Sequence, residues 1–449
     1  MHLINSQLVC ADYNKEYPKI SHAKGVYYYD TTGKKYLDAS GATACVTNIG
    51  HGVEEVADVI SEQARKVAVH PAHLFYNEEI ENYLANLCAF AGNGFNHAWT
   101  ISGGTAAVEN AVKLAFQYQR SKGRQRKKVL ARWGSYHGNS IFNLDFGGNK
   151  IRRDYYEDLM KDHPHLSPCF PYRRPSDMSL EAYEDTLIAE FDETTKTFKD
   201  DIICFVAEPV VGAALGAVAP TENYFKRIKE ICEREDILFI ADEVMTGFGR
   251  TGKNFAMEHY GVVPDIMALA KGISSGYLPL GAIMAQDHVI NTLKETGKPF
   301  LSGQTYSCIP LAAAVGNANL EYLKKKNLVE NAANIGQFLK EKLFQLDANP
   351  FVGDIRGIGL FLSVEFVKDK STKEPIENEF AFSKRLEAKC MENGLTIYGC
   401  KGSYQLTSGD HILISPPLVL NETEATELYE ILAKSLASIT EDYQNWLQN

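Results

Sequence analysis

Residues 263–282 read VPDIMALAKGISSGYLPLGA, an almost wholly apolar run that delivers Lys271 and gives way to a glycine-rich one. An ordinary lysine is a solvated surface charge. A lysine leaving a buried strand is different, because desolvation lowers its pKa and frees the amine as a nucleophile toward an aldehyde. The stretch is therefore read both as a sheet strand and as the arm that carries a reactive amine.

Working outward, similar short apolar runs occur at 98–101, 129–132, 202–207, 237–241 and 281–285. Helical patterns separate them from about residue 54 to 320. The clearest is ENYFKRIKEICERED, residues 222–236, in which Phe225, Ile228, Ile231 and Cys232 share one face. Short apolar runs alternating with amphipathic helices imply an α/β fold with a parallel sheet covered on both faces. Near the N-terminus, 26–38 (VYYYDTTGKKYLD) reads as two short strands around a turn at Gly33. The last quarter reads as a small α+β unit: strands at 359–366 and 412–415 around a helix near 380–393. A final helix follows Asn421, with Asn421 and Glu424 as its capping pair.

The chain has 449 residues, enough for a large domain with a smaller one attached. A net charge of −11 speaks against nucleic-acid partners, since phosphate backbones select basic surfaces. The basic run 122–128 (KGRQRKK) is read as a solvated helix end. No apolar run approaches the ~18 residues that cross a bilayer, so no membrane partner is expected. The opening MHLINSQLVCADYNKEYPKI lacks a basic start and a long apolar core, so it is not a secretory leader. Nine scattered cysteines without a CxxC pair fit reduced thiols better than disulfides or zinc, which makes the cytoplasm the expected location.

Three further motifs accompany Lys271. In ISGGTAAVENAVKLAFQY, residues 101–118, Gly103, Gly104 and Thr105 precede a helix, whose free N–H groups and dipole favour a phosphate. On its own such a sequence is more often only a tight turn. In RWGSYHGN, residues 132–139, Tyr136 follows a strand end, where a flat ring can stack on an aromatic ligand, and His137 can act as a base. A tyrosine capping the core reads the same way. In ILFIADEVMTGFGRTG, residues 237–252, Asp242 and Glu243 close a buried strand, and such an acidic pair should meet a cation. IICFVAEP, residues 202–209, ends a second strand with Glu208. Carboxylates at two strand ends also suit a magnesium site, which has no use for Lys271. Pyridoxal phosphate uses all four parts: a phosphate cradle, a stacking ring, a carboxylate for the ring nitrogen and a Schiff-base lysine.

These residues resemble the class-III aminotransferases over nearly the whole chain. Asp242-Glu243-Val244, Thr246-Gly247 and Gly249-Arg250-Thr251-Gly252 are similar to that family's cofactor strand, and Lys271-Gly272 follows at the family spacing. Gly303-Gln304-Thr305-Tyr306-Ser307 resembles a segment that reaches the cofactor phosphate of the neighbouring subunit. Arg356-Gly357-Ile358-Gly359-Leu360 and Pro416-Pro417-Leu418 resemble C-terminal hallmarks. The resemblance implies the fold-type-I architecture of pyridoxal-phosphate-dependent transferases. Residues 54–320 would form the large cofactor domain, with 1–53 and 321–449 forming the small one. It implies that Lys271 holds the cofactor and moves protons, that Asp242 keeps the ring nitrogen protonated, and that Tyr136 and Val244 cover the two ring faces. Gly104 and Thr105 would bind the phosphate, with Thr305 arriving in trans within a homodimer, and Glu208 would support Asp242 or the phenolic side. Together with His137 these are the cofactor-binding candidates, and no metal is expected.

Departures bear on substrate. Ala106 stands where the family usually has Glu. Ala213 and Leu413 stand where ornithine, GABA and lysine enzymes carry a Glu–Arg switch for a second carboxylate, and no arginine follows Arg385. Arg152, Arg153, Arg250 and Lys401 are the alternative cations. The expected reaction is a ping-pong transfer from an amine or amino acid to a keto acid or aldehyde. One substrate would carry little negative charge away from the reacting carbon. The rival readings are an aminomutase or decarboxylating transaminase of the same fold, a non-catalytic binding protein, and a magnesium-dependent phosphotransferase.

Overall fold

The computed structural model describes Gln7, Val9 and residues 16–448, so most of the N-terminal segment read as lacking a leader lies outside the described residues. Seven strands build the central sheet: β1 (Phe95–Ile101), β2 (Lys128–Arg132), β3 (His165–Leu166), β4 (Ile202–Ala207), β5 (Leu238–Asp242), β6 (Ile266–Leu269) and β7 (Gly281–Gln286). Their order is β1-β7-β6-β5-β4-β2-β3. The runs from β2 to β6 pair in parallel, as their apolar character implies. The 281–285 run departs from the all-parallel expectation, because β7 lies antiparallel to both β1 and β6. An inner strand flanked on both sides and both faces is equally apolar in either direction, so its composition carries no sign of polarity.

The two faces of the sheet feed two cores. Ile203, Val206, Leu238, Ile240, Ile266 and Ala268 face α1 (Gly104–Ser121), which offers Val108, Ala111, Val112 and Ala115. On the opposite face Phe205 stacks on Phe239, and Phe239 stacks on Phe225 of α2 (Tyr224–Glu235) at a centroid distance of 5.6 Å.

The N-terminal strands Tyr27–Asp30 and Lys35–Asp38 form the hairpin around Gly33, joined by Ile20–Lys24, and Lys35–Asp38 pairs in parallel with Leu395–Thr396. Near the C-terminus, Val352–Ile358, Phe361–Asp369, Ser408–Ile414 and Tyr398–Tyr404 form an antiparallel sheet. Helices Phe382–Glu392 and Glu422–Gln448 lie where the sequence pattern set them. The capping pair forms reciprocally: Glu424 N–H donates to Asn421 Oδ1 and Asn421 N–H to Glu424 Oε2, each at 3.0 Å.

The 122–128 run is not wholly solvated. Lys122 and Arg124 pair with Asp236, and Arg126 is buried, donating to the carbonyls of Ile202, Glu235 and Asp236. A guanidinium can satisfy several carbonyls at once, so a basic run is no proof of exposure. No helix among the described residues is long and apolar enough to cross a membrane. The eight described cysteines are free, and Cys10 lies outside the described residues.

Candidate active site

Parallel pairing brings the chemistry together. Asp242, the last residue of β5, is in register with Ala268 of β6, and Lys271 follows three positions on. Both side chains thus emerge at the carboxyl ends of neighbouring strands, where open α/β sheets bind ligands. They line one cavity of about 430 Å³, together with Gly104, Thr105, Tyr136 and Val244. His137 and Glu208 also border it. Of the sequence-derived candidates only Thr305 does not, lying on an exposed segment away from its own chain's cavity.

Lys271 is held at φ +48°, a left-handed conformation unusual for a residue with a Cβ. Backbone N–H groups of Ser274 and Ser275 both donate to its carbonyl, which fixes the turn. Burial pushes its amine pKa down, and the nearby Cys45, Asp242 and Glu208 pull the other way. It forms no ion pair with any described residue, which leaves a desolvated amine facing the cavity.

Asp242 is buried and doubly oriented. Its Oδ1 accepts from Val244 N–H at 3.1 Å, and its Oδ2 meets His137 Nδ1 at 2.8 Å. With the carboxylate ionised, that nitrogen carries the proton, so His137 serves to fix Asp242. Asn143 braces this turn by donating to the carbonyls of His137 and Thr105 at 2.6 and 3.0 Å. Sequence reasoning missed Asn143, since a lone amide within a short helix carries no pattern. Glu208 lies alongside, accepting from Gly212 N–H at 3.1 Å and Tyr136 N–H at 3.3 Å. Burial raises its pKa, His137 opposes this and Asp242 adds to it.

Glu243 does not meet a cation. It does not line the cavity and is satisfied by the Thr246 hydroxyl and the N–H groups of Ala256 and Met257. Burial raises its carboxyl to about 7 in spite of those donors. The expectation of a cation for the acidic pair therefore holds at most for Asp242, because backbone N–H groups can satisfy a buried acid equally well. Among the described residues no group of three or more His, Cys, Asp or Glu side chains is arranged to hold a metal ion.

The cradle is set by what Gly104 lacks. A Cβ there would sit 3.0 Å from Val244 Cγ1 and 3.4 Å from Ala270 Cβ. Without it, the first turn of α1 closes onto the cavity. The first intrahelical bond is made by Ala107 N–H to Gly103 at 2.9 Å, which leaves the preceding N–H groups for an anion. Thr105 Oγ1 accepts from Asn139 N–H at 3.3 Å, tying this turn to the one that carries Tyr136.

The arginine-switch positions lie in an apolar setting. Leu413 packs with Ala44, Cys45, Val210, Phe361, Met245 and Tyr398, and Val210 and Met245 border the cavity. Ala213 offers only its carbonyl, to His411. Among the alternative cations, Arg250 is a buried anchor donating to Leu360, Pro416, Thr47 and Asn48. Arg153 is engaged by Gly147 and His165, and Lys401 by Asn378. Arg152 lies over the Tyr136 ring, 5.0 Å from its centroid.

A ligand using all of these groups needs an anionic tail at the helix, a flat ring at Tyr136, a basic ring atom at Asp242 and a carbonyl at Lys271. The residues present fit pyridoxal phosphate on each count, and with this sheet they define a fold-type-I transferase. The chain belongs to the family described as Aminotransferase class-III, which it matches over residues 11–436. It is 37% identical to the uncharacterized aminotransferase YodT of Bacillus subtilis over 97% of this chain and 98% of that one. It is 32% identical to putrescine–pyruvate aminotransferase of Pseudomonas aeruginosa, covering 93% and 90%. The omega transaminase of Pseudomonas jessenii in complex with PMP superposes with a TM-score of 0.91 at 27% identity, covering 98% of each chain. The protein is an enzyme of transamination, and these similarities do not favour the aminomutase or decarboxylating readings.

Proposed function

We propose that this transaminase binds pyridoxal phosphate through Lys271 and Asp242, with Gly104 and Thr105 at the phosphate and Tyr136 and Val244 on the ring faces. His137 and Glu208 hold Asp242 and the Tyr136 turn from behind. The observation that carries this reading is the meeting of a desolvated amine and a doubly oriented acid in one cavity, from adjacent strand ends. When bound, the cofactor supplies an aldehyde for the amino group and a ring that accepts the electron pair released at the neighbouring carbon. Asp242 keeps a proton on the ring nitrogen. Lys271 Nζ, neutral once freed, takes the proton from the donor's Cα and returns it on the other side of the nitrogen.

The reaction runs as a ping-pong exchange between an amine or amino acid and a keto acid or aldehyde. The apolar cluster around Leu413 supports an ω-amine, polyamine or amino acid with little distal negative charge as donor. The enzyme works as a homodimer in which Thr305 completes the partner's phosphate site. Exposed Leu74, Phe75, Tyr76, Leu301 and Tyr306, each more than 60% accessible, support a second copy as their cover. Residues 54–320 form the cofactor domain, and 1–53 with 321–449 the smaller one, a division of which 1–6, 8, 10–15 and 449 lie outside the described residues. Free cysteines support a reducing, cytoplasmic setting.

The test is spectroscopic. The purified protein should be yellow, its visible band should shift on adding a donor amine, and Lys271→Ala should lack the band. A Lys271→Ala protein that keeps the band would refute the assignment.

A further inference from the structure

One cation beside the cavity has no acid assigned to it. Arg152, in the short helix Lys150–Arg153, lays its guanidinium over the Tyr136 ring. The same helix packs on the C-terminal strand Tyr398–Tyr404, with Ile151 Cδ1 3.7 Å from where a Cβ on Gly402 would stand. Arg152 also neighbours the Tyr398 hydroxyl; burial raises that phenol, Cys400 adds to the rise, and Arg152 works against it. Two rings thus flank the guanidinium: Tyr136 at the cavity wall and Tyr398 in the apolar cluster that includes Leu413.

Lys150 of the same helix lies over the Trp133 ring, 5.1 Å from its centroid, and the nearby arginines are committed. Arg250 is consumed by four oxygens, Arg356 and Arg173 share Glu365, and Arg153 is held by Gly147 and His165. Arg152 forms no ion pair among the described residues and is exposed. With one donor at the Tyr398 hydroxyl, a guanidinium over an aromatic face still has other N–H groups to offer, and its fork matches both oxygens of a carboxylate.

We propose that Arg152 is the specificity-determining residue that receives the carboxylate of a keto-acid acceptor, in place of the arginine that the Leu413 position lacks. The proposal rests on the cavity being the site of amino transfer. It places the acceptor's acid at the Tyr136–Tyr398 seam, and leaves the Leu413 end to the uncharged portion of the donor.

The experiment uses holoenzyme and Arg152→Gln. Propionate, an unreactive carboxylate, is titrated calorimetrically, and the aminated enzyme is then mixed with pyruvate or with propanal. Loss of a charge-assisted bidentate contact should weaken propionate by about tenfold or more and lower the pyruvate-to-propanal ratio of kcat/KM by a similar factor. Arg152→Lys should recover part of both. A ratio unchanged within about twofold overturns the proposal, even if both rates fall, because arginine would then only be steadying Tyr136. Wild-type holoenzyme that is yellow yet does not bind propionate overturns it as well. Failure of the cofactor reading itself is distinguishable, since it leaves no lysine-dependent band in the first place.

Discussion

Gly104→Ala isolates the proposed cofactor cradle with a single methyl group. The added Cβ would lie 3.0 Å from Val244 Cγ1, 3.4 Å from Ala270 Cβ and 3.5 Å from Val244 Cγ2. These are tighter than ordinary carbon contacts of about 3.5–4.0 Å, so the helix start or Val244 must give by a few tenths of an ångström. Val244 is β-branched and stiff at χ1, and its own N–H is tied to Asp242, so little of that motion is free. Overpacking of this kind costs about 1–3 kcal/mol, against a helical gain from alanine of at most about 1 kcal/mol. With Val244 held in this way overpacking wins, by up to roughly 2 kcal/mol. The same displacement draws the N–H groups away from the phosphate, so cofactor affinity measured by equilibrium dialysis should fall about 5–30-fold. Val244→Ala alone removes the proposed ring contact and should also weaken binding. In the double variant the clash disappears, so the two losses should be less than additive by about 1 kcal/mol. Strict additivity, or a Gly104→Ala protein that binds cofactor like the wild type, would show that the cradle is not defined by this contact.

Lys271 should also leave a mark on pH dependence. Burial holds its folded pKa below the ordinary 10.5, so the unfolded chain binds a proton that the folded one has released. Apoprotein stability should therefore gain with rising pH from the depressed value up to 10.5, and Lys271→Met should be more stable near neutrality and flatter with pH. Thermal midpoints of both apoproteins at about pH 7.5 and 9.5 check the sign, and parallel slopes would contradict it. Leu413→Arg places an unpaired cation in the apolar cluster beside Val210 and Met245. The expected outcome is a lower thermal midpoint together with a rise in 2-oxoglutarate over pyruvate turnover. No change in that preference would mean the position does not face substrate.

The residues that carry the proposed chemistry were legible because each follows an apolar strand, and parallel pairing sends strand ends to one edge. That logic reached Asp242, Glu208, Tyr136 and Lys271 without coordinates. It failed where two environments share one sequence pattern. The β7 run looks the same whichever way it points, Arg126 looks like any surface arginine, and Glu243 looks as needful of a cation as Asp242. Their outcomes depend on which carbonyls and N–H groups arrive from distant segments. Asn143 and the turn Gly41–Cys45, with positive φ at Ala42, Ala44 and Cys45, are likewise tertiary features. Nothing local in GATAC announces a backbone held so by its surroundings.

The parallel pairing of Lys35–Asp38 with Leu395–Thr396 has a consequence for biosynthesis. Thr396 Oγ1 bonds Asp38 across 358 positions of chain. At ribosomal rates of about 5–20 residues per second, an emerging N-terminal hairpin waits roughly 20–70 s before that neighbour exists. Throughout that interval its outer edge is an open template for stray strands, so holdase chaperones or slowed translation should matter more for this early segment than for the central sheet.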